Sequence, residues 1–183
     1  MSYEFFSTPY KHQLETIDFM IKNHKAYNFS AMGSGKTRSC IWFCDILFEA
    51  EKIDKVLIIC PLVWGEEIKA VVPNRSYSIV HGPRAKRIAA LNKPAHFYIT
   101  NHDAPRTYWE ELTAKDFDIV IIDEVDAYKN PGSKRSKAVY KIVKNARGVY
   151  GLTGTPMANS PEEAFGIGKA INPSQLPTRY ITR

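Results

Sequence analysis

Gly33-Ser34-Gly35-Lys36-Thr37 lies between an apolar run and a segment of helical period that opens at Thr37. Glycines let the backbone curl so that successive N–H groups point inward, and the helix that follows adds partial positive charge, so this pattern suits a triphosphate. Lys36 would reach the β and γ phosphates as a point charge, and the Thr37 hydroxyl would ligate Mg2+. Where the pattern G-x-x-x-x-G-K-[ST] has its first glycine, this chain has Ser30. A second constellation, Asp123-Glu124-Val125-Asp126, closes another apolar run. Adjacent carboxylates at the mouth of a buried strand repel each other unless a cation or solvent relieves them. With a phosphate loop upstream, Asp123 is placed to hold the magnesium through water, and Glu124 to orient and deprotonate the water that attacks the γ phosphate.

These groups need a scaffold that gathers loops. Apolar runs at 27–31, 55–60, 77–81, 95–100, 117–123 and 148–153 alternate with helical segments at 37–50, 66–72, 84–91, 134–145 and 161–170. Strand and helix in repeated alternation predict an α/β domain with a parallel sheet and helices on both faces. Runs such as Val56-Leu57-Ile58-Ile59 do not alternate, as expected of strands covered on both sides. In such sheets ligands collect beyond the carboxyl ends of the strands, and the polar motifs fall there: SAMGSGKT, CPLVW, HGPR, TNHD, DEVD and TGTP. No linker or repeat interrupts the pattern, so residues 1–183 read as one domain.

Composition narrows the class without naming a function. An apolar share of 44% and a charged share of 24% exclude disordered and fibrous chains, and a net charge of +6 favours a polyanionic partner. Cys40, Cys44 and Cys60 are an odd number with no metal-ligand spacing, which suits a reducing compartment. The start MSYEFF lacks a secretory pattern and no apolar run approaches membrane-spanning length, so a cytoplasmic protein is expected, in a host cell if phage-encoded. The three tryptophans are read as core or interface residues.

The order of the motifs resembles the first RecA-like domain of helicase superfamily two, most closely the Swi/Snf-type DNA translocases, from about Pro9 to Pro173. Tyr10-Lys11-His12-Gln13 looks like the family's Q motif, in which the glutamine reads adenine, an edge an amide can bond bidentately. The resemblance thus implies ATP contacts at Tyr10, Gln13, Met32, Gly33, Ser34, Gly35, Lys36, Thr37 and Arg38. Cys60-Pro61-Leu62-Val63-Trp64 is similar to motif Ia on the nucleic-acid track, and Thr100-Asn101-His102-Asp103 occupies the place of another backbone-contacting loop. Asp123 to Asn130, with Ser133 and Lys137, looks like the Swi/Snf acidic box and its lysine-asparagine extension, with Asp126 where that family usually has histidine. Leu152 to Asn159 matches motif III, in which Thr153 and Thr155 help couple nucleotide state to DNA contact.

For nucleic acid the residues implied are Pro61, Leu62, Asn101, His102, Lys129, Arg135 and Lys137, the last three within a basic stretch that also holds Lys134, Lys141 and Lys144. The partners implied are double-stranded DNA and a second RecA-like domain, in the same or another chain. No second-domain motifs follow, so hydrolysis by this half alone is expected to be weak. The alternatives are a stand-alone, non-hydrolysing nucleotide- or DNA-binding adaptor or decoy and, more distantly, a small phosphate-loop kinase.

Overall fold

The computed structural model describes residues 3–31, 33–154, 160–178 and 180. In chain order it begins with α1 (Lys11–Lys22), β1 (Lys25–Asn28), α2 (Lys36–Glu49), β2 (Val56–Ile59), α3 (Trp64–Val71), β3 (Tyr77–Ile79) and α4 (Arg84–Asn92). It continues with β4 (Phe97–Thr100), α5 (Ala104–Ala114), β5 (Ile119–Ile122), a 3-10 turn (Val125–Tyr128), α6 (Lys134–Val143), β6 (Gly148–Leu152) and α7 (Pro161–Ile171). The six strands form one all-parallel sheet in the order β1-β6-β5-β2-β4-β3.

Period-two alternation splits each central strand between two cores. Val56, Ile58, Ile119, Ile121 and Ile99 face the cluster shared with Ile17 and Met20 of α1, Trp42 and Phe43 of α2, and Ile68 of α3. Leu57, Ile59, Val120, Ile122 and Tyr98 face the opposite cluster with Leu91 of α4, Leu112 of α5, Val139 and Ile142 of α6, and Ile171 of α7. Each such buried aliphatic side chain contributes about 1.5–3 kcal/mol, and burial on both faces explains why the strands read as unbroken apolar runs.

Several boundaries differ from the sequence reading, among them α3 at 64–71 against 66–72 and α6 at 134–143 against 134–145. β1 stops at Asn28 instead of running to 31, because Asn28 Oδ1 accepts from the Ser30 amide (2.9 Å) and hydroxyl (2.5 Å) and turns the chain. α1 and α5 are helices added to the segments read from the sequence, and α5 is the irregular one. Pro105 sits in its first turn, where a missing N–H costs nothing, and Tyr108 breaks the helical path (φ −150°, ψ 44°), which scrambles the apolar period.

At the rim opposite the motifs, Asp118 ties three strands together. Its Oδ2 accepts from the Asp54 and Lys55 amides (2.9 and 3.1 Å) ahead of β2. Its carbonyl accepts from the Arg147 and Gly148 amides at the start of β6 (2.9 and 3.1 Å), and the Arg147 guanidinium donates to Lys52 O (2.8 Å).

Candidate active site

The phosphate loop follows β1 as the sequence predicts. Positive φ falls at Gly33 (77°) and Gly35 (75°), not at Ser30, so Ser30 is tolerated where the pattern has glycine and its hydroxyl serves the Asn28 turn. Lys36 Nζ donates to the Ser30 and Ala31 carbonyls (2.6 and 2.9 Å), which holds the ammonium across the loop. Ser34 Oγ is buried with no hydrogen-bond partner among the described residues, an orphan that an anion's oxygen would satisfy. Thr37 is half-buried in the first turn of α2. Arg38 is paired with Glu67 (2.6 Å), and Met32 lies outside the described residues.

α1 packs straight onto this loop. A Cβ at position 35 would fall 2.2 Å from Gln13 Nε2, so the buried Gln13 amide requires glycine there. Gln13 Oε1 accepts from the Tyr10 amide (2.8 Å), and His12 Nε2 lies 2.9 Å from Ser34 O. Pairing with adenine through both amide atoms would therefore replace the Tyr10 cap. The Tyr10 ring, 72% exposed, stacks on His12 at 5.8 Å.

Asp123 follows β5 directly, and its amide donates to Ile59 O (2.9 Å), which sets it beside the end of β2. Its Oδ1 accepts from the Glu124 amide (3.1 Å) and its Oδ2 from Trp64 Nε1 (2.9 Å). Sequence reasoning made Trp64 a core or interface residue. It is buried, yet an indole N–H at a buried position needs an acceptor, and that requirement was the signal for its second role. Glu124 is exposed and left-handed (φ 51°, ψ 50°), a conformation costing about 1–2 kcal/mol for a residue with a Cβ. The Ala127 amide holds it by donating to Glu124 O (3.0 Å).

The two charged centres share a neighbour. Burial pushes the Cys40 thiol far up, the Asp123 carboxylate pushes it further, and the Lys36 ammonium pulls it back, so both groups lie within electrostatic reach of one buried sulfur. Among the described residues no group of three or more His, Cys, Asp or Glu side chains could hold a metal alone. The donors at hand, Thr37 Oγ1 and the Asp123 carboxylate, fit Mg2+, which takes one or two protein ligands and completes its shell with phosphate oxygens and water.

Beyond this centre, Thr153 Oγ1 donates to Asp126 Oδ1 (3.1 Å), which brings together two of the residues assigned to coupling. Thr155 lies outside the described residues. Pro61 is exposed and Leu62 half-buried in the loop after β2, and Asn101 Oδ1 accepts from the Ala104 amide (3.1 Å). His102 Nδ1 lies 3.1 Å from Tyr128 OH, while its Nε2 is buried without a partner among the described residues. Lys129 pairs with Glu163 (3.3 Å) and Arg135 with Asp103 (2.6 Å), whereas Lys137 is exposed with no ion pair among the described residues.

The sequence profile of the SNF2-related domain matches residues 12–181. The chain belongs to the SNF2-related domain family. It is a first RecA-like domain of the Swi/Snf type in helicase superfamily two. Its relatives include Switch 2 of Arabidopsis thaliana, 31% identical over 191 residues that cover 92% of this chain and 22% of that protein. The human DNA annealing helicase and endonuclease ZRANB3 is 29% identical over 174 residues, covering 90% and 16%. The SNF2-related domain thus spans under a quarter of the curated relatives it matches. Its fold is that of the Sulfolobus solfataricus SWI2/SNF2 ATPase core in complex with dsDNA, with a TM-score of 0.80, 23% identity, and coverage of 94% of this chain and 37% of that one. A second structure of that ATPase core domain gives 0.78 at 25% identity, covering 93% and 36%. No helix among the described residues is long and apolar enough to cross a membrane.

Proposed function

We propose that this SNF2-related domain is the ATP-binding half of a DNA-dependent ATPase of the translocase type, which needs a second RecA-like half to hydrolyse efficiently. The observation that supports this best is that Lys36, in the loop after β1, and Asp123, just after β5, stand beyond the carboxyl ends of strands of one parallel sheet, a cation suited to phosphate and a carboxylate suited to a hydrated metal. The loop amides and Lys36 hold the triphosphate, Thr37 and Asp123 hold the magnesium, and Glu124 takes the proton from the attacking water. Bound magnesium would neutralise charge between the β and γ phosphates. Asp126 and Thr153 join the acidic box to the loop after β6, where nucleotide state would be passed to DNA contacts.

Charge that builds on the transferred phosphoryl group also calls for cations from a facing domain. An arginine finger is worth on the order of 10³ to 10⁵ in rate, about 4–7 kcal/mol, so this half alone should bind ATP and turn it over very slowly. Steady-state phosphate release is the test, with and without duplex DNA and a second RecA-like half, in wild type and Glu124→Gln. DNA-stimulated turnover that requires both the second half and Glu124 is expected. Robust turnover by the lone chain that vanishes in Glu124→Gln would remove the requirement for a second half.

A further inference from the structure

Trp64 opens α3 directly after the Pro61–Val63 loop. Its indole Nε1 donates to Asp123 Oδ2 at 2.9 Å, which ties the first residue of the helix to the residue that follows β5. Val63 is 74% exposed and Trp64 is 2% exposed, so one peptide step leads from a solvent-facing loop to a buried ring. The Val63 amide donates back to Pro61 O (2.7 Å), which makes the loop a tight turn with little slack. A displacement of this turn is therefore passed to the ring, and through the indole hydrogen bond to the carboxylate.

We propose that Trp64 is a positioning residue that couples the Pro61–Val63 loop to Asp123. Contact of the loop with a nucleic-acid backbone re-aims the carboxylate, and occupation of the metal site re-aims the loop, as thermodynamic linkage requires. This rests on the reading above that Asp123 holds magnesium and that the loop lies on the nucleic-acid track. What it adds is a direct side-chain route between them. Partners that orient a metal ligand typically change metal affinity by about 10- to 100-fold when removed.

The indole resonance of Trp64 in a proton–nitrogen correlation spectrum, assigned by its loss in Trp64→Phe, reports the hydrogen bond itself. In Asp123→Ala it should move to the position of an unbonded indole while those of Trp42 and Trp109 stay. In wild type it should move on addition of Mg-ATP, and also on addition of a short DNA duplex without nucleotide. Trp64→Phe keeps a ring in the core, and it should need about 10- to 100-fold more Mg2+ for half-maximal ATP binding. Its affinity for ATP without Mg2+ should stay the same, a split that a general loss of packing does not produce. If Trp64→Phe does not fold, the Asp123→Ala spectrum and the wild-type titrations decide. DNA binding that leaves the Trp64 indole unmoved, or equal Mg2+ midpoints in wild type and Trp64→Phe, overturns the coupling and leaves the ATPase reading intact. Failure to bind both Mg-ATP and DNA overturns the two together.

Discussion

The Thr153 hydroxyl donates to Asp126 Oδ1 across 3.1 Å, joining the chain just past β6 to the turn just past β5. Thr153 is 3% exposed, so its hydroxyl does not readily exchange this carboxylate for water. An acidic residue thus makes the link at a place where the Swi/Snf family usually has histidine. Thr153→Val keeps the shape and deletes the donor. It should lower stability by about 1–3 kcal/mol in urea denaturation, leave ATP affinity near wild type, and reduce stimulation by DNA once a second half is supplied. Asp126→Asn retains an acceptor and should be milder on both counts.

Among the described residues Lys36 bonds to two carbonyls of its own loop and to no other element, so Lys36→Ala should leave the melting temperature nearly unchanged. Loss of a charge-assisted contact to phosphate, worth about 1.5–3 kcal/mol, should weaken Mg-ATP binding by roughly 10- to 100-fold in calorimetry. Equal affinity in the two proteins would refute the phosphate-loop assignment.

His102 is held below its usual 6.5, first by burial and then by the Arg135 charge, against the upward pull of Asp123, Asp126 and Asp103. The unfolded chain therefore binds more protons than the folded one as pH drops below about 6.5. The stability His102 contributes is fully present above that value and is lost as pH falls through the lower, folded-state value. His96 shifts the same way, from burial and Arg75. The melting temperature should thus decline on acidification less steeply in His102→Asn than in wild type, with the share of His96 remaining.

Binding of duplex DNA should be weak, tolerant of sequence and steeply reduced by salt, because the expected contacts are to phosphates. Lys137 is exposed and unpaired among the described residues, so Lys137→Ala should weaken binding to all sequences alike and reduce the salt slope by about 1. Arg135→Ala, which also frees the Asp103 carboxylate, should weaken it further. Anisotropy titrations across salt concentrations measure both.

The parallel sheet and both charged centres were legible because each depends on a contiguous pattern, an apolar run closed by a polar motif. The end of β1 was not, since it depends on one Asn28 side chain competing with the strand ladder. α5 was hidden by Pro105 and the break at Tyr108. The Trp64 link was hidden for a different reason. It exists because β2 and β5 are neighbours in the sheet, with Ile59 level with Ile122, and linear spacing between Trp64 and Asp123 carries no trace of that register.

Asp118 stands far from the chemistry, at the other rim of the sheet, where one side chain and one carbonyl gather the approaches to β2 and β6 around β5. Asp118→Ala should strip the Asp54 and Lys55 amides of their acceptor, while the carbonyl at 118 keeps the Arg147 and Gly148 amides, and it should leave the phosphate loop and the acidic box undisturbed. A loss of about 1–2 kcal/mol is enough to change the standing amount of a marginally stable protein several-fold in a cell. The phenotype of Asp118→Ala should therefore be one of abundance, with fewer molecules surviving and each survivor binding nucleotide as before.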